Sequence, residues 1–328
     1  MFCSTIIPTV GRSSLADAVH SVLSQEGAAD DCEVIVVNDS GRPLPAAGWQ
    51  QMANVRVLDT QRRERCVARN TGAAMAHGKY LHFLDDDDLL LPGALAAFRK
   101  LDQREPDAVW LYGSYQTVDN SGAVVDVWRP AITGDIFALL VTGEGIPFQT
   151  SLVRSRDFHA VGMFDPDPAV VGVEDRDVGR RLAFAGRVAY TPEVVAQIRI
   201  GQVGSTTNWA TLAAADRWSR EKALRMQDVT GRLRRSTAGT PQLQGRVCRA
   251  YMASCAWNLH RRNGFTALSR LSSGLVLAGR GAWFPAFWRG LRVKPGGTPP
   301  VLPTPPATSE ASSNMTSDSG TVPGVTRA

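Results

Sequence analysis

The chain has 328 residues, a net charge of +5 and an ordinary hydrophobic share of 44%, which favours one large soluble α/β domain with a smaller appendage. No stretch approaches the ~18 uninterrupted apolar residues of a membrane span, and the first twelve residues lack the basic start and apolar length of a signal peptide. The five scattered cysteines contain no CxxC pair. They argue against a zinc site or disulfide framework and favour a reducing, cytoplasmic location.

Charge is divided unevenly along the chain. Residues 1–206 carry 19 Lys and Arg against 26 Asp and Glu, a net charge of −7, whereas residues 207–294 carry 16 against 3, a net charge of +13. This split predicts two modules with different surfaces. Residues 295–328 are rich in Pro, Thr, Ser and Gly with few large apolar side chains, so we expect a disordered tail there.

Short apolar runs alternate with amphipathic stretches in residues 1–206, which predicts a mostly parallel sheet covered by helices. Strands are predicted at 2–8, 33–37, 55–58, 79–84, 108–118, 123–128, 151–154, 188–190 and 194–200. The turn at 120–122 makes an antiparallel pair of the two strands beside it. Helices are predicted at 13–25, 65–76, 92–101 and 174–185, and in the basic region at 209–233, 243–260 and 265–277.

Four consecutive carboxylates, Asp85 to Asp88, directly follow the apolar run 80–84. Like charges at a strand end repel each other, so we expect a cation among them. Oxygen ligands with no neighbouring cysteine favour Mg²⁺ or Mn²⁺, with phosphate oxygens completing the coordination. A solvated acidic loop is the alternative that this run alone leaves open.

Polar residues also follow the first two predicted strands, as Pro8-Thr9 and Asn38-Asp39. If the strands are parallel, these residues and the acidic run lie at one edge of the sheet, where open α/β sheets bind ligands. No GxGxxG follows the first strand, which disfavours a dinucleotide. The arrangement favours a nucleoside diphosphate bridged through a divalent metal.

Five segments together resemble the family 2 glycosyltransferases of the GT-A fold. They are TIIPT at 5–9, VIVVNDS at 34–40, ARN at 68–70, GKYLHFLDDDD at 78–88 and VEDRD at 173–177. Each motif is weak alone, but the five in this order and spacing are specific. The resemblance covers residues 1–206 and implies an α/β domain with a mixed, mostly parallel sheet flanked by helices. It also implies an inverting enzyme that uses a nucleoside-diphosphate sugar, with UDP or dTDP as the expected nucleotide.

The resemblance implies nucleotide-binding roles for several matching residues. Pro8 and Thr9, together with Arg12, would line the nucleoside pocket. Asp39 would accept a hydrogen bond from the base, which for uracil is its ring N–H, and Arg69 would approach the nucleotide from the preceding helix. The residues alone leave plainer roles open, because Asp39 is also suited to closing a turn and Arg69 to facing solvent.

The same resemblance places the metal and the catalytic base. Asp85 would lie near the ribose or the metal and Asp87 on the metal itself; Asp86 is a further candidate, because four consecutive carboxylates leave the register open by one position. Asp175 would be the general base, and we expect Glu174 and Asp177 to raise its pKa while Arg176 and Arg180 lower it. A carboxylate in the first turn of a helix is also favoured by the helix dipole alone, which is the alternative role for Asp175.

One departure from the family pattern concerns the metal. Members often carry a His after the last core strand, but residues 198–206 contain none, and Gln202, Ser205 or backbone N–H groups are the available substitutes. A catalytically inactive nucleotide-sugar-binding or scaffold protein therefore remains an alternative, which a sugar-nucleotide hydrolysis assay discriminates. A nucleotidyltransferase is a second alternative, although the loop 8–12 is too short for the Gly-rich basic loop of such enzymes.

The basic region 207–294 is dotted with aromatic residues, which suits an anionic membrane surface. We therefore expect peripheral attachment at the inner face of the plasma membrane, where a glycan or lipid-linked acceptor would be found. The alternative is that the aromatic side chains pack these helices onto the preceding domain. Charge alone also allows nucleic-acid binding, but no motif supports it, and we expect none.

Overall fold

The computed structural model of the chain describes residues 1–61, 63–200 and 209–293. Nine strands lie within these residues: β1 (Cys3–Thr9), β2 (Cys32–Asn38), β3 (Val55–Asp59), β4 (Tyr80–Phe83), β5 (Leu89–Leu90), β6 (Trp110–Val118), β7 (Val124–Trp128), β8 (Ser151–Arg154) and β9 (Val188–Arg199). They form one sheet in the spatial order β3-β2-β1-β4-β8-β6-β9-β5, with β7 beside β6.

Twelve α-helices are described in the same residues. They are α1 (Leu15–Leu23), α2 (Ala28–Asp31), α3 (Arg65–Ala74), α4 (Ala94–Arg104), α5 (Phe137–Val141), α6 (Ser155–Ala160), α7 (Glu174–Ala185), α8 (Trp209–Ala223), α9 (Val229–Ser236), α10 (Pro241–His260), α11 (Gly264–Ala278) and α12 (Pro285–Arg292).

The sheet is mixed, as predicted. Strands β3, β2, β1 and β4 are parallel neighbours, whereas β8 lies antiparallel to both β4 and β6. Strand β2 is buried along its whole length, which explains why its sequence is an almost continuous apolar run rather than an alternating one. The predicted antiparallel pair is also present, as β6 and β7.

Each face of the sheet carries its own hydrophobic core. Ile6 and Ile35 belong to one core and Ile7 and Val36 to the other, because successive side chains of a strand point to opposite faces. Helices α3, α5 and α7 cover the first face, and α1 and α4 cover the second. The carboxyl ends of the parallel strands are left free at one edge, where the polar residues of the next subsection lie.

The basic C-terminal helices join the first of these cores. Leu233 and Val247 pack in the same buried cluster as Phe137, and the buried guanidinium of Arg180 donates to Asp216 of α8 at 2.6 Å. Residues 1–200 and 209–293 therefore share a core, so the charge split marks different surfaces and not independent packing. The predicted boundary at 206/207 and the predicted tail at 295–328 lie outside the described residues.

Two predicted strands, 188–190 and 194–200, are one continuous strand, β9. Its pairing with β6 shifts register on either side of Ser114, so the strand bulges at the segment that contains Pro192, which has no N–H to donate. Gly113 makes room for the bulge, because a Cβ there would lie 2.6 Å from Cγ1 of Val195.

One predicted helix, 209–233, is instead two, α8 and α9. The chain leaves the helix after Ala223 and re-enters it after Asp228, whose φ of 52° is left-handed. The pattern-based interpretation also misses β5, α2, α5, α6 and α12. These elements have two to eight residues, which is too short for a periodic pattern to emerge.

Gly78, which precedes β4, offers a test of how closely β1 and β4 are packed. A Cβ at this position would lie 2.5 Å from the backbone nitrogen of Ser4, and backbone moves less easily than a side-chain end. We expect Gly78→Ala to lower the free energy of unfolding by about 1–3 kcal/mol through overpacking, measured by chemical denaturation. The matched control is Gly264→Ala, where a Cβ meets nothing within 4 Å; an equal loss in both variants would contradict the packing argument.

Candidate active site

The polar residues that end β1, β2 and β4 lie at one edge of the sheet, as the sequence predicts. Thr9 is paired with Asn38 in the parallel register of β1 and β2. The hydroxyl of Thr9 also donates to Oδ2 of Asp86 at 2.5 Å, which joins the end of β1 directly to the acidic run after β4. The three strand ends therefore form a single site.

The four carboxylates of the acidic run have different partners. Asp85 accepts hydrogen bonds from Arg69 and from Nε2 of Gln149, both at 2.7 Å. Asp86 is buried and accepts from Thr9 and Arg12, and Asp88 is buried and accepts from the N–H of Arg199 at 2.8 Å. Asp87 has a looser ion pair, 3.5 Å from Nη1 of Arg12. The run is thus a built cluster and not a solvated loop.

These partners move the pKa values of the carboxyl groups in opposite directions. Burial alone would raise the pKa of Asp85, but the charge of Arg69 and the hydrogen bonds outweigh it and hold that pKa below its ordinary value. The pKa of Asp87 is raised by burial and by the negative charge of Asp85. Asp88 has a pKa well above its ordinary value for the same two reasons. Positive charge near Asp87 would therefore be stabilising.

Arg69 connects the acidic run to the start of α7. Its side chain is only 11% exposed and contacts Asp85 through Nη2 at 2.7 Å and Glu174 through Nη1 at 3.2 Å. Its guanidinium also lies 5.4 Å from the centroid of the Phe164 ring, a cation–π distance. The alternative of a solvated helix arginine is wrong, because the guanidinium is largely buried and each of its ends is paired with a carboxylate.

Asp175 lies in the first turn of α7, so the helix dipole does favour its carboxylate. It also lines a cavity of about 180 Å³ together with Asp85, Arg65, Arg69 and Glu174, so the alternative of a merely helix-stabilising carboxylate does not describe its surroundings. Burial and the adjacent charge of Glu174 raise the pKa of Asp175. A carboxylate with a raised pKa in a cleft is a suitable proton acceptor.

Asp39 lines a second cavity, of about 390 Å³, with Val10, Ser40, Arg42 and Glu64. The carboxylate accepts from the hydroxyl of Thr60 at 2.8 Å and from two backbone N–H groups of the segment that leads into α3. The turn after β2 is closed by its neighbour Asn38, whose Oδ1 accepts from the N–H of Ser40 at 3.1 Å. Asp39 therefore shapes the cavity wall, and its contact with a base stays a prediction.

Pro8, Thr9 and Arg12 also lie at this edge, but their observed contacts are with the protein. The Thr9 hydroxyl is committed, since it donates to Asp86 and accepts from the N–H of Gly11 at 2.9 Å. Arg12 is bound to Asp86 and lies near Asp87. Their contacts with a nucleoside remain predictions, whereas their role in holding the acidic run is observed.

The residues around Asp85 and Asp87 fit a metal that arrives with a phosphate-bearing ligand. Within the described ranges, no group of three or more His, Cys, Asp or Glu side chains is arranged to hold an ion. Mg²⁺ commonly binds through one or two carboxylates plus substrate phosphates, which is the donor set available here. The segment 201–208, with Gln202 and Ser205, lies outside the described residues.

Three residues of the site carried no motif of their own. Gln149 reaches Asp85 from a 3₁₀ turn before β8, and Phe164 and Arg65 reach the cavity of Asp175 from two further segments. Gln149 can be identified as a partner of Asp85 only once β8 is known to lie beside β4. Gln149 and Phe164 are far from the acidic run along the chain, so the spacing of the motifs does not point to them. Arg65 lies four residues before Arg69 in α3, and this spacing could have placed it on the same helix face.

Comparison with known proteins supports the interpretation as a glycosyltransferase. Residues 4–161 match the model of "Glycosyl transferase family 2". The match covers just under half of the chain, so residues 4–161 are similar to this family. Among curated proteins, 98 residues are 34% identical to the poly(ribitol-phosphate) β-N-acetylglucosaminyltransferase TarP of Staphylococcus aureus strain N315, covering 28% of this chain and 30% of TarP. A further 143-residue match is 27% identical to an uncharacterized glycosyltransferase of Rickettsia bellii strain RML369-C, covering 42% of this chain and 20% of that protein.

The solved structures extend the likeness over most of the chain. S. aureus TarS residues 1–349, crystallised with UDP-GlcNAc, superposes with a TM-score of 0.59 at 13% identity, covering 83% of this chain and 91% of that one. The predicted fold is thus confirmed, and the interpretation as a glycosyltransferase is confirmed at the level of the family. The curated relatives are matched over a fifth to about a third of their own length.

The charge of Glu174 is expected to control the proton affinity of Asp175. In Glu174→Gln the negative charge beside Asp175 is lost. Arg69 also loses its ion pair with Glu174, so more of its positive charge acts on Asp175. Both changes favour the ionised form of Asp175. We therefore expect the pKa of Asp175 to fall, as measured by NMR titration of carboxyl carbons. Glu105→Gln, at an exposed position after α4, is the control and should leave it unchanged. An unchanged or higher pKa in Glu174→Gln would contradict this coupling.

Proposed function

We propose that this protein is an inverting glycosyltransferase that moves a sugar from a nucleoside-diphosphate donor to an acceptor hydroxyl. The observation that carries the proposal is the single cavity lined by Asp85 and Asp175. One carboxylate is kept ionised by Arg69 and the other has a raised pKa. Two carboxyl groups with separated pKa values in one cavity are suited to different tasks, one to binding and one to proton transfer.

A uridine diphosphate sugar is the donor that we propose. The neighbouring structures of TarS contain UDP-GlcNAc and UDP, which favours UDP over dTDP. In this chain the base would enter the cavity beside Asp39, and the diphosphate would lie toward Asp85 and Asp87. The sugar would then project into the cavity of Asp175.

The chemistry follows from where these groups lie. The acceptor oxygen attacks C1 of the sugar from the face opposite the diphosphate, so that the new C–O bond forms as the old one breaks and the configuration inverts. Asp175 takes the proton of the acceptor hydroxyl, and the electron pair of the broken bond leaves with the diphosphate. Arg69 and Gln149 keep the carboxylate of Asp85 fixed, which preorganises the donor side of the site.

A divalent cation is part of this proposal. Asp87 and Asp85 are the residues that would hold Mg²⁺ or Mn²⁺, and the cation would neutralise the diphosphate and make it a better leaving group. The raised pKa of Asp87 supports a cation at this position, because positive charge relieves its repulsion from Asp85.

The acceptor that we propose is a glycan or a lipid-linked precursor of a cell-envelope polysaccharide. TarP is named as a transferase that acts on poly(ribitol-phosphate), a polymer, and it is 34% identical to this chain over 98 residues. A cytoplasmic enzyme at the inner face of the membrane would have access to both the soluble donor and such an acceptor.

Donor binding is the first test of the proposal. We expect UDP to bind in the presence of Mn²⁺, and Asp87→Asn to weaken the interaction by more than about tenfold, measured by calorimetric titration of UDP, dTDP and GDP with and without the metal. Asp107→Asn, at an exposed position before β6, is the matched control and should bind normally. If no nucleotide binds the wild type, or if Asp87→Asn binds as well as the control, the donor site is misplaced.

The general base is tested separately from the donor site. Asp175→Asn should retain UDP binding, because the residue faces the acceptor, while sugar transfer or slow donor hydrolysis falls by about 10²–10⁴-fold. Donor turnover is followed by release of UDP from UDP-sugars. Full turnover in this variant would remove Asp175 from the mechanism. A wild type that binds UDP but releases none from any donor would favour the inactive sugar-binding alternative.

A further inference from the structure

The outward side of α11 is apolar although it faces solvent. Phe265, Leu268 and Leu275 are 87%, 67% and 67% exposed, and Leu271 and Val276 are exposed as well. Their spacing along a helix places them within one broad stripe. A stripe of large apolar side chains in solvent is unusual and marks an interaction site more often than a free surface.

The inward side of α11 is equally well defined. Ala267, Gly274 and Leu277 are buried, and the carbonyl of Gly274 accepts from the thiol of Cys248 in α10 at 3.3 Å. The helix has one charged residue, Arg270, which is buried and lies 3.5 Å from the buried carboxylate of Glu221. The exposed stripe therefore carries no charge of its own.

Exposed aromatic residues follow α11 directly along the chain. Trp283 is 85% exposed, and Phe284 and Trp288 are also exposed. Phe287 between them is buried, which anchors the segment to the protein. The aromatic side chains of the basic region are therefore divided: Phe287 and Tyr251 pack inward, while Phe265 and the three residues named above face out.

The positive charge around this surface indicates which kind of partner it binds. Residues 229–293 contain eleven arginines and no Asp or Glu. Exposed arginines flank the stripe at both ends of α11 and continue into α12, as Arg261, Arg262, Arg280, Arg289 and Arg292. An uncharged apolar face with cations at its flanks and tryptophans beside it matches the requirements of an anionic bilayer interface.

We propose that the exposed side of α11, with Trp283, Phe284 and Trp288, docks the protein onto an anionic lipid membrane. The apolar stripe enters the boundary between headgroups and acyl chains, and the flanking arginines contact lipid phosphates. The described part of the chain has no helix that is both long and apolar enough to cross a bilayer, so α11 lies in the plane of the interface. This proposal is independent of the transferase activity and is tested without it.

Two other occupants fit the surface less well. A second copy of the chain, in a two-fold dimer, would bring the arginines of both copies together in a region that has no carboxylate to offset them. Nucleic acid would satisfy the arginines, but Leu268, Leu275 and Val276 would have no counterpart on a phosphate backbone.

The test uses the full chain and flotation with vesicles of phosphatidylcholine, with or without phosphatidylglycerol. We expect the wild type to float with the anionic vesicles and not with the neutral ones. The double variant Leu268→Glu/Leu275→Glu should reduce the bound fraction by at least about tenfold, since it removes two large apolar side chains from the face that would enter the membrane. Both positions are exposed, so the fold should persist, as checked by circular dichroism.

The matched control is Val124→Glu/Val125→Glu, which adds the same two charges at exposed positions of β7. It should float like the wild type. The proposal is overturned if the wild type does not float, or if the two double variants float equally. It is also overturned if light scattering finds a wild-type dimer that Leu268→Glu/Leu275→Glu converts to a monomer while no vesicle binds, because the surface then serves self-association.

Discussion

The candidate active site depends on the bridge that Arg69 forms between Asp85 and Glu174. Asp85 follows β4 and Glu174 begins α7, so these elements are brought together by one buried guanidinium from α3. An arginine suits this task because it presents several donors in a fixed plane and stays charged when buried. Losing either carboxylate would leave the largely buried guanidinium with one of its two partners, which costs more than losing a surface ion pair.

The same bridge sets the electrostatics on both sides of the cavity. It keeps Asp85 ionised, and the ionised Asp85 in turn raises the pKa of Asp87. At the other end, burial and the adjacent Glu174 raise the pKa of Asp175. Arg69 lowers the pKa of Asp85, while burial and Glu174 raise the pKa of Asp175, so two carboxyl groups of one cavity differ in proton affinity.

The basic helices are both a structural support and a distinct surface. Through Arg180 and Asp216, α8 is tied to α7, the helix that carries Asp175, and α9 and α10 complete the core on the same side of the sheet. Farther out, α11 turns its only charge inward and its apolar side chains outward. The inner helices therefore hold the helix that carries Asp175 in place, while the outer ones provide a surface that the folded chain leaves uncovered.

The sequence by itself determined the positions of most strands, the edge at which their polar ends meet, and the acidic run with its family motifs. It did so because burial and alternation leave a local pattern, and because parallel strands bring their carboxyl ends together. Tertiary structure alone decided that Arg69 is a bridge and not a solvated residue, that Gln149 reaches Asp85, and that the basic helices share the core. It also decided which aromatic residues face outward. Those facts depend on which elements become neighbours across long sequence separations, and the local periodicity of the sequence carries no information about such contacts.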